Sequence, residues 1–178
     1  MPTELKMLIS AEQIRRRVEE LGEAIAKDHP HGTLCLVGVL KGSFMFLADL
    51  VRVIPRCLRL DFITAASYGA QTHSSGEVRL VQDVTLDISG CPVVVVEDIV
   101  DTGITLEFLL EHLRSKNPSS LRVAALLDKP SRHLRDVTID YVGFRIGGEF
   151  VVGYGLDLAE EYRHLPDIYT VEQRPAQG

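Results

Sequence analysis

Hydrophobic and polar positions alternate along the chain in a pattern that predicts strands separated by helices. The first predicted helix has apolar residues at helical spacing: Ile14, Val18, Leu21 and Ile25. Ser10 and Gln13 precede it as a capping box, in which each side chain bonds the other's backbone amide. Residues 43–54 predict a second helix, and Thr102 can cap a third whose apolar positions are Leu106, Leu109, Leu110 and Leu113.

Continuous apolar runs predict the strands between these helices. They cover residues 33–39, 58–66, 78–84, 92–97, 121–127, 139–144 and 150–154. The run 92–97 is the most apolar, which is typical of a strand buried on both faces in the middle of a parallel sheet. Alternating strands and helices therefore predict an α/β fold with a mainly parallel central sheet.

The segment 67–77, SYGAQTHSSGE, is polar and rich in glycine and serine. It predicts a loop between two strands, and these form an antiparallel flap at the edge of the sheet. No repeat, linker or low-complexity stretch divides the sequence. We therefore expect residues 1–178 to form one domain.

Composition narrows the function classes. The net charge of −6 argues against binding to nucleic acid or an anionic membrane, which requires a basic face. Three cysteines without a metal-binding spacing are typical of reduced structural thiols. No segment resembles a signal peptide, and no apolar run approaches the roughly 20 residues of a membrane span. The sequence predicts a soluble cytoplasmic protein.

The candidate chemistry lies in VVVVEDIVDTGIT, residues 93–105. Glu97 and Asp98 follow a buried strand, and Asp101 comes before a glycine turn that opens a helix. Ligands of open α/β sheets bind beyond the carboxyl ends of strands, and a helix N-terminus behind a glycine turn suits phosphate. The acids can accept hydrogen bonds from hydroxyl groups or bind a metal, and the backbone amides that follow them can bind a phosphate. Together these groups point to a sugar phosphate such as ribose 5-phosphate. Helix capping alone is the alternative interpretation.

This segment resembles the binding signature for 5-phosphoribosyl 1-pyrophosphate (PRPP) of the type I phosphoribosyltransferases. Four further stretches resemble the bacterial hypoxanthine-guanine phosphoribosyltransferases of purine salvage: GVLKGSFMFLADL (38–50), DFITAASYG (61–69), LLDKPSR (126–132) and FVVGYGLDLAEEYRHLP (150–166). The resemblance covers about residues 33–169 with the motifs in order. It implies the type I phosphoribosyltransferase fold, with a small hood from the N-terminal segment and residues 145–178, and a flexible loop at about 67–78.

The resemblance also implies the reaction. The 5-phosphoribosyl group passes from PRPP to N9 of hypoxanthine or guanine, which gives IMP or GMP and pyrophosphate. The transition state is expected to be oxocarbenium-like, and Mg²⁺ is the expected cofactor, held by Glu97, Asp98 and Asp157. The expected partners are PRPP and a 6-oxopurine, with no nucleic acid and no membrane. A homodimer or homotetramer is expected, with the helix at 43–54 either at the interface or in the core.

Site residues follow from the same resemblance. Those for the ribose and its 5-phosphate are Glu97, Asp98, Asp101, Thr102, Gly103, Ile104 and Thr105. Asp101 is also the candidate general acid or base at purine N7; shaping the turn is its alternative role. Pyrophosphate is assigned to Lys41, Gly42 and Arg163, with a cis peptide expected between Leu40 and Lys41.

The purine is assigned to Lys129, Phe150, Val151 and Asp157. Lys129 would donate to the 6-oxo group, which disfavours adenine; an exposed loop lysine is the alternative. Phe150 would stack on the base and Val151 would offer backbone groups, unless both are core residues. Asp157 and Arg163 could instead form an exposed pair. Ser67 and Tyr68 open the flexible loop that would close over the site.

One departure from the family pattern affects base choice. Ile146, Gly147 and Gly148 stand before Phe150 where the family usually has a proline followed by an acid or amide. A xanthine-preferring transferase is therefore one alternative. A PRPP-sensing regulator that binds nucleic acid is another, disfavoured by the acidic charge. A P-loop nucleotide hydrolase is excluded, because GxxxxGK[ST] does not occur.

Overall fold

Two sheets organise the part of the chain that the computed structural model describes, residues 4–68 and 77–172. The elements are β1 (Glu4–Ile9), α1 (Ala11–Asp28), β2 (Leu34–Val39), α2 (Phe44–Val53), β3 (Leu58–Tyr68), β4 (Glu77–Gln82), β5 (Pro92–Val100), α3 (Ile104–Arg114), β6 (Ser120–Asp128), a 3-10 turn (Pro130–Arg132), β7 (Tyr141–Arg145), β8 (Val151–Val152) and β9 (Ile168–Glu172).

The larger sheet has six strands in the order β4-β3-β2-β5-β6-β7. All its pairs are parallel except β3–β4, the antiparallel pair at the edge. This confirms the predicted fold class and edge hairpin. The order also places β5, the most apolar strand, inside the sheet between β2 and β6.

Helices cover both faces of this sheet, which explains why β5 is apolar at every position of its first half. Val94 and Val96 pack in the cluster that contains α1 and α2. Val93 and Val95 pack on the other face with the leucines of α3. Successive strand residues point to opposite faces, so both sets of side chains are removed from water.

The smaller sheet has the order β1-β9-β8, with both pairs antiparallel. Neither β1 nor β9 was predicted from the sequence. The predicted strand at 150–154 is reduced to Val151–Val152. The hood expected from the two ends of the chain thus corresponds to a sheet that joins Glu4–Ile9 to Ile168–Glu172.

Several boundaries differ from the prediction. The strand predicted at 92–97 continues to Val100, so Glu97 and Asp98 lie within it. Ser67 and Tyr68 belong to the end of β3 and Glu77 to the start of β4; the rest of the predicted loop, residues 69–76, lies outside the described residues. The capping box of α1 is confirmed. Within residues 4–68 and 77–172, no helix is long and apolar enough to cross a membrane.

Candidate active site

Glu97 and Asp98 leave opposite faces of β5. Glu97 lines a pocket of about 140 Å³ with Thr105 and Leu106 of α3. Asp98 points to the other side, where it meets Gly42 in front of α2. The pleat of the strand therefore directs these two adjacent acids to different sides of the sheet.

One oxygen of the Glu97 carboxylate is buried without a partner. Burial, with a smaller contribution from the charge of Asp98, raises the pKa of Glu97 well above the usual value. Its Oε2 atom touches no solvent and accepts no hydrogen bond. A buried acceptor of this kind is costly unless something donates to it. The pocket therefore suits a ligand with hydroxyl groups or a hydrated cation.

Asp98 lies in a narrow position beside Gly42. A β carbon on Gly42 would lie 1.6 Å from Asp98 Oδ2, so only glycine fits there. Burial raises the pKa of Asp98 to about 6, against the opposing effect of the amides of Asp98 and Ile99. Arg163 lowers this pKa and Asp157 raises it. The structure thus brings Gly42, Asp98, Asp157 and Arg163 together, as expected from the resemblance.

The expected pyrophosphate groups form one ionic cluster. The Leu40–Lys41 peptide is cis, as expected. Glu160 Oε2 lies 3.1 Å from Lys41 Nζ and 3.1 Å from Arg163 Nη2. Arg163 Nη2 also lies 2.8 Å from Asp157 Oδ1, and neither side chain is fully exposed. Sequence reasoning missed Glu160; its only sequence signal was its place between Asp157 and Arg163.

The predicted phosphate turn, residues 102–105, lies at the start of α3. The N-cap residue of this helix is not Thr102, as predicted, but the next residue. Gly103, with φ of +80°, is the N-cap residue, and no side chain caps the helix. Thr102 instead accepts a 3.4 Å bond from the Ile104 amide, and its carbonyl accepts one from Leu134. The left-handed conformation explains the glycine. An uncapped N-terminus is suited to an anion.

Asp101 lies between two cations. Its Oδ1 accepts from Arg132 Nε, and its Oδ2 lies 3.6 Å from Lys129 Nζ. Lys129 is only 4% exposed, so the alternative of a solvated loop lysine is wrong. Arg132 was not assigned from the sequence, although it lies in the quoted LLDKPSR motif. The contact between Arg132 and Asp101 is visible only in the folded structure, where residues 129–134 pack against the phosphate turn.

Phe150 and Val151, which were predicted to contact the purine, differ in exposure. Phe150 is 52% exposed, whereas Val151 is buried in β8. Phe150 is therefore not a core residue, whereas the side chain of Val151 is; the role predicted for Val151 concerns its backbone groups and stays a prediction. A β carbon on Gly148 would lie 3.9 Å from Arg132 Cδ. The glycine pair thus borders the loop that holds Asp101.

The carboxylates do not form a protein-only metal cage. No group of three histidine, cysteine or acidic side chains within residues 4–68 and 77–172 is placed to hold a metal. Asp98 and Asp157 are close enough to interact, and Glu97 has an unsatisfied oxygen. This arrangement fits Mg²⁺, which binds through one or two carboxylates, substrate phosphates and water.

Comparisons with known proteins agree with this geometry. Residues 5–159 match the model of the phosphoribosyl transferase domain. The chain is 44% identical over 163 residues to a hypoxanthine-guanine phosphoribosyltransferase of Bacillus subtilis, covering 92% of this chain and 91% of the relative. It is 47% identical over 180 residues to the enzyme of the same name in Mycobacterium tuberculosis, covering 97% and 89%.

Solved structures agree as well. A hypoxanthine-guanine phosphoribosyltransferase from Bacillus anthracis, with a HEPES molecule in its active site, superposes with a TM-score of 0.91 at 48% identity, covering 95% of this chain and 100% of that one. A hypoxanthine phosphoribosyltransferase from Staphylococcus aureus gives a TM-score of 0.90 at 43% identity, covering 94% and 91%. The likeness includes both sheets, because nearly the whole chain is covered.

Proposed function

The chain belongs to the phosphoribosyltransferase family, and from that premise we propose how its site transfers a 5-phosphoribosyl group from PRPP to N9 of hypoxanthine or guanine. The products are pyrophosphate and IMP or GMP. The observation that carries the proposal is the β5–α3 segment, where a carboxylate with one buried, unpartnered oxygen and a helix N-terminus without an N-cap side chain share one pocket.

The ribose and 5-phosphate of PRPP bind on the side of the site that β5 and α3 form. The 5-phosphate binds the turn of Thr102, Gly103, Ile104 and Thr105. The ribose hydroxyls supply the donors that Glu97 lacks. Binding here costs little further desolvation of Glu97 Oε2, because that oxygen is already shielded from solvent. The pocket is therefore ready for a diol before the ligand arrives.

Pyrophosphate binds on the opposite face of β5, at Lys41, Gly42 and Arg163. Gly42 brings backbone close to Asp98, and Arg163 offers a planar fork suited to phosphate oxygens. Lys41 and Arg163 are both paired with Glu160. The leaving group must therefore compete with that carboxylate.

Mg²⁺ was assigned to Glu97, Asp98 and Asp157. Because Glu97 lies on the opposite face of β5, Asp98 and Asp157 would hold the ion directly, and Glu97 could reach it only through water. When bound, the ion would neutralise the charge that grows on the departing pyrophosphate. Asp98 is suited to this position because burial raises its pKa to about 6, so a cation in contact with it relieves an unfavourable buried charge.

The purine lies between Phe150 and the loop that contains Lys129. Lys129 Nζ donates to the 6-oxo group, which excludes adenine because its 6-amino group is also a donor. Asp101 exchanges the proton at N7, with Lys129 and Arg132 holding its two oxygens. Val151 contributes backbone groups and Asp157 borders the base. Ser67 and Tyr68 begin a lid over the site.

A homodimer or homotetramer is the proposed assembly. Phe46, Leu47 and Leu50 of α2 are buried within the chain, whereas Phe44 is 40% exposed. Only the exposed part of that helix is therefore available to a second copy.

The test is an assay of the purified protein with PRPP and Mg²⁺, offered hypoxanthine, guanine, xanthine and adenine separately. We expect nucleotide from hypoxanthine and guanine and none from adenine. A preference for xanthine would leave the PRPP assignments in place and show that Gly147 and Gly148 change base choice. No turnover with any base, while PRPP still binds, would contradict the proposal.

A further inference from the structure

A second acid lies directly behind the cations that hold Asp101. Asp128, the last residue of β6, is only 4% exposed. Its Oδ1 lies 2.8 Å from His133 Nε2, and its Oδ2 lies 3.6 Å from Arg145 Nε. Asp128 Oδ1 and His133 Nε2 are both out of contact with solvent, and neither forms a hydrogen bond of regular geometry, so the two groups are in close contact but not aligned as donor and acceptor. A buried carboxylate in this position depends on its partners.

The Asp128–His133 contact closes the loop that presents Lys129 and Arg132. His133 directly follows the 3-10 turn Pro130–Arg132, so the acid and the histidine flank both cations. The backbone fixes the same loop against the phosphate turn. The Lys129 amide donates to Val100 and the Leu134 amide to Thr102, at 3.0 and 2.9 Å. Any change in the loop is therefore transmitted to Asp101.

If His133 is removed, no other described side chain takes its place beside Asp128 Oδ1. The side chain of Arg145 is 71% exposed, and its guanidinium is 3.6 Å from the other oxygen. Without His133, Oδ1 of a buried carboxylate would lose the polar group that lies 2.8 Å from it. Lys129 and Arg132 are the cations adjacent to it in the chain. A shift of either toward Asp128 would withdraw it from Asp101.

We propose that His133, through Asp128, is a positioning residue of the transfer reaction. It keeps Lys129 and Arg132 directed at Asp101 and does not itself touch substrate. This inference rests on the proposed function, because it assigns His133 an effect on the purine half of that site. It predicts that purine use depends on His133, whereas the binding of PRPP, whose pyrophosphate binds on the far side of β5, depends on it less.

The experiment compares three variants with the wild-type enzyme. His133→Ala removes the partner of Asp128, and His133→Arg replaces it with a side chain that always carries a positive charge. His112→Ala is the matched control: its Nε2 lies 2.9 Å from Asp83 Oδ1, and its side chain is 28% exposed against 22% for His133. Each variant is assayed for kcat, for KM of hypoxanthine and of PRPP, and for its unfolding midpoint.

We expect His133→Ala to lose about ten- to a hundredfold in kcat/KM for hypoxanthine, the size expected when a reacting group is displaced by about 1 Å. KM for PRPP should stay within about twofold, and His133→Arg should regain most of the loss. His112→Ala should lower the unfolding midpoint without changing either KM.

Three results would overturn the inference: unchanged hypoxanthine kinetics in His133→Ala, an equal loss in His112→Ala, or no recovery in His133→Arg. Absence of turnover in the wild-type enzyme would instead contradict the proposed function. The wild-type assay in the same series therefore keeps the two failures apart.

Discussion

Gly42 and Asp98 lie so close together that the site has no room for a β carbon at position 42. The expected position of a β carbon on Gly42 overlaps the Asp98 carboxylate, with 1.6 Å to Oδ2. An alanine must displace the carboxylate, the backbone of the loop, or both. We predict that Gly42→Ala raises KM for PRPP by about tenfold or more, measured in steady-state kinetics.

Gly148→Ala is the control for that substitution. Its β carbon would meet only Arg132 Cδ within 4 Å, at an ordinary contact distance of 3.9 Å. KM for PRPP should stay unchanged in this variant. An equal rise in both variants would mean that glycine itself, and not the contact with Asp98, is responsible.

Asp101 is the residue whose chemical role can be separated from its charge contacts. Asp101→Asn keeps the shape but removes the proton acceptor and the charge between Lys129 and Arg132. We predict a fall in kcat of about 10²- to 10⁴-fold, the usual contribution of general acid–base catalysis. A role limited to shaping the turn would raise KM for PRPP and leave kcat unchanged.

Among single residues, the sequence identified those that belong to motifs and missed those whose partners lie in other loops. Glu97, Asp98 and Asp101 stand out because acids are unusual at the end of an apolar run. Arg132, His133 and Glu160 look like ordinary surface residues. Their partners lie in other segments or are reached only through the course of a turn, such as Lys41, 119 positions from Glu160. No local pattern records such contacts.

Among the elements, β3 is tied to the segment after β4 by one buried acid. Asp61 accepts the amides of Thr85 and Leu86 at 2.6 and 2.7 Å, and that of Phe62 at 2.8 Å. Burial alone would raise the pKa of Asp61, but these donors hold it below its usual value. The edge hairpin is therefore fixed to the sheet by an ionised carboxylate.

This linkage predicts the pH dependence of stability. Because the folded-state pKa lies below the unfolded one, the contribution of Asp61 is present above about pH 4 and is lost as the pH falls through the lower, folded value. Asp61→Asn should cost about 1–3 kcal/mol in urea unfolding at pH 7. The difference from the wild type should shrink toward pH 3. A constant difference would show that the ionised form is not the source.

The turn between β8 and β9 carries Glu160, which occupies the cations expected to bind pyrophosphate. Glu160→Gln should strengthen pyrophosphate binding by about two- to fivefold, because Lys41 and Arg163 lose a competing carboxylate at an exposed position. Calorimetric titration with pyrophosphate measures the change. Glu161→Gln, the same substitution at the next exposed residue, is the control. Equal binding in both variants would mean that Glu160 does not compete.

Elements were predictable where their side chains are buried with a regular period. The valines of β5 and the leucines of α3 were therefore placed correctly. The strand β1 was missed because four of its six residues are exposed and only Ile9 is fully buried, so no alternation appears. The end of β5 was missed because Glu97 and Asp98 resemble a strand terminus. Their burial beside α3 and Gly42 is a tertiary effect.

The whole molecule divides into two sheets of unequal size. The larger has six strands, with β5 fully covered, whereas the smaller depends on a two-residue strand and an exposed β1. Small sheets with few buried contacts open at lower free energy than the core. We therefore predict that amides of β8 and β9 exchange with deuterium at least about tenfold faster than those of Val93–Val96. Purine together with PRPP should slow the smaller sheet, and equal protection in both sheets would contradict this view.

The pairing of β1 with β9 has a consequence for how the protein is made. On the ribosome, a nascent chain released as far as Arg145 contains every strand of the larger sheet and the whole phosphate turn. The smaller sheet cannot close until Glu172 has emerged to meet Glu4. The site therefore matures in sequence: the turn assigned to the 5-phosphate can form during synthesis, whereas Phe150, Val151 and Arg163 emerge later.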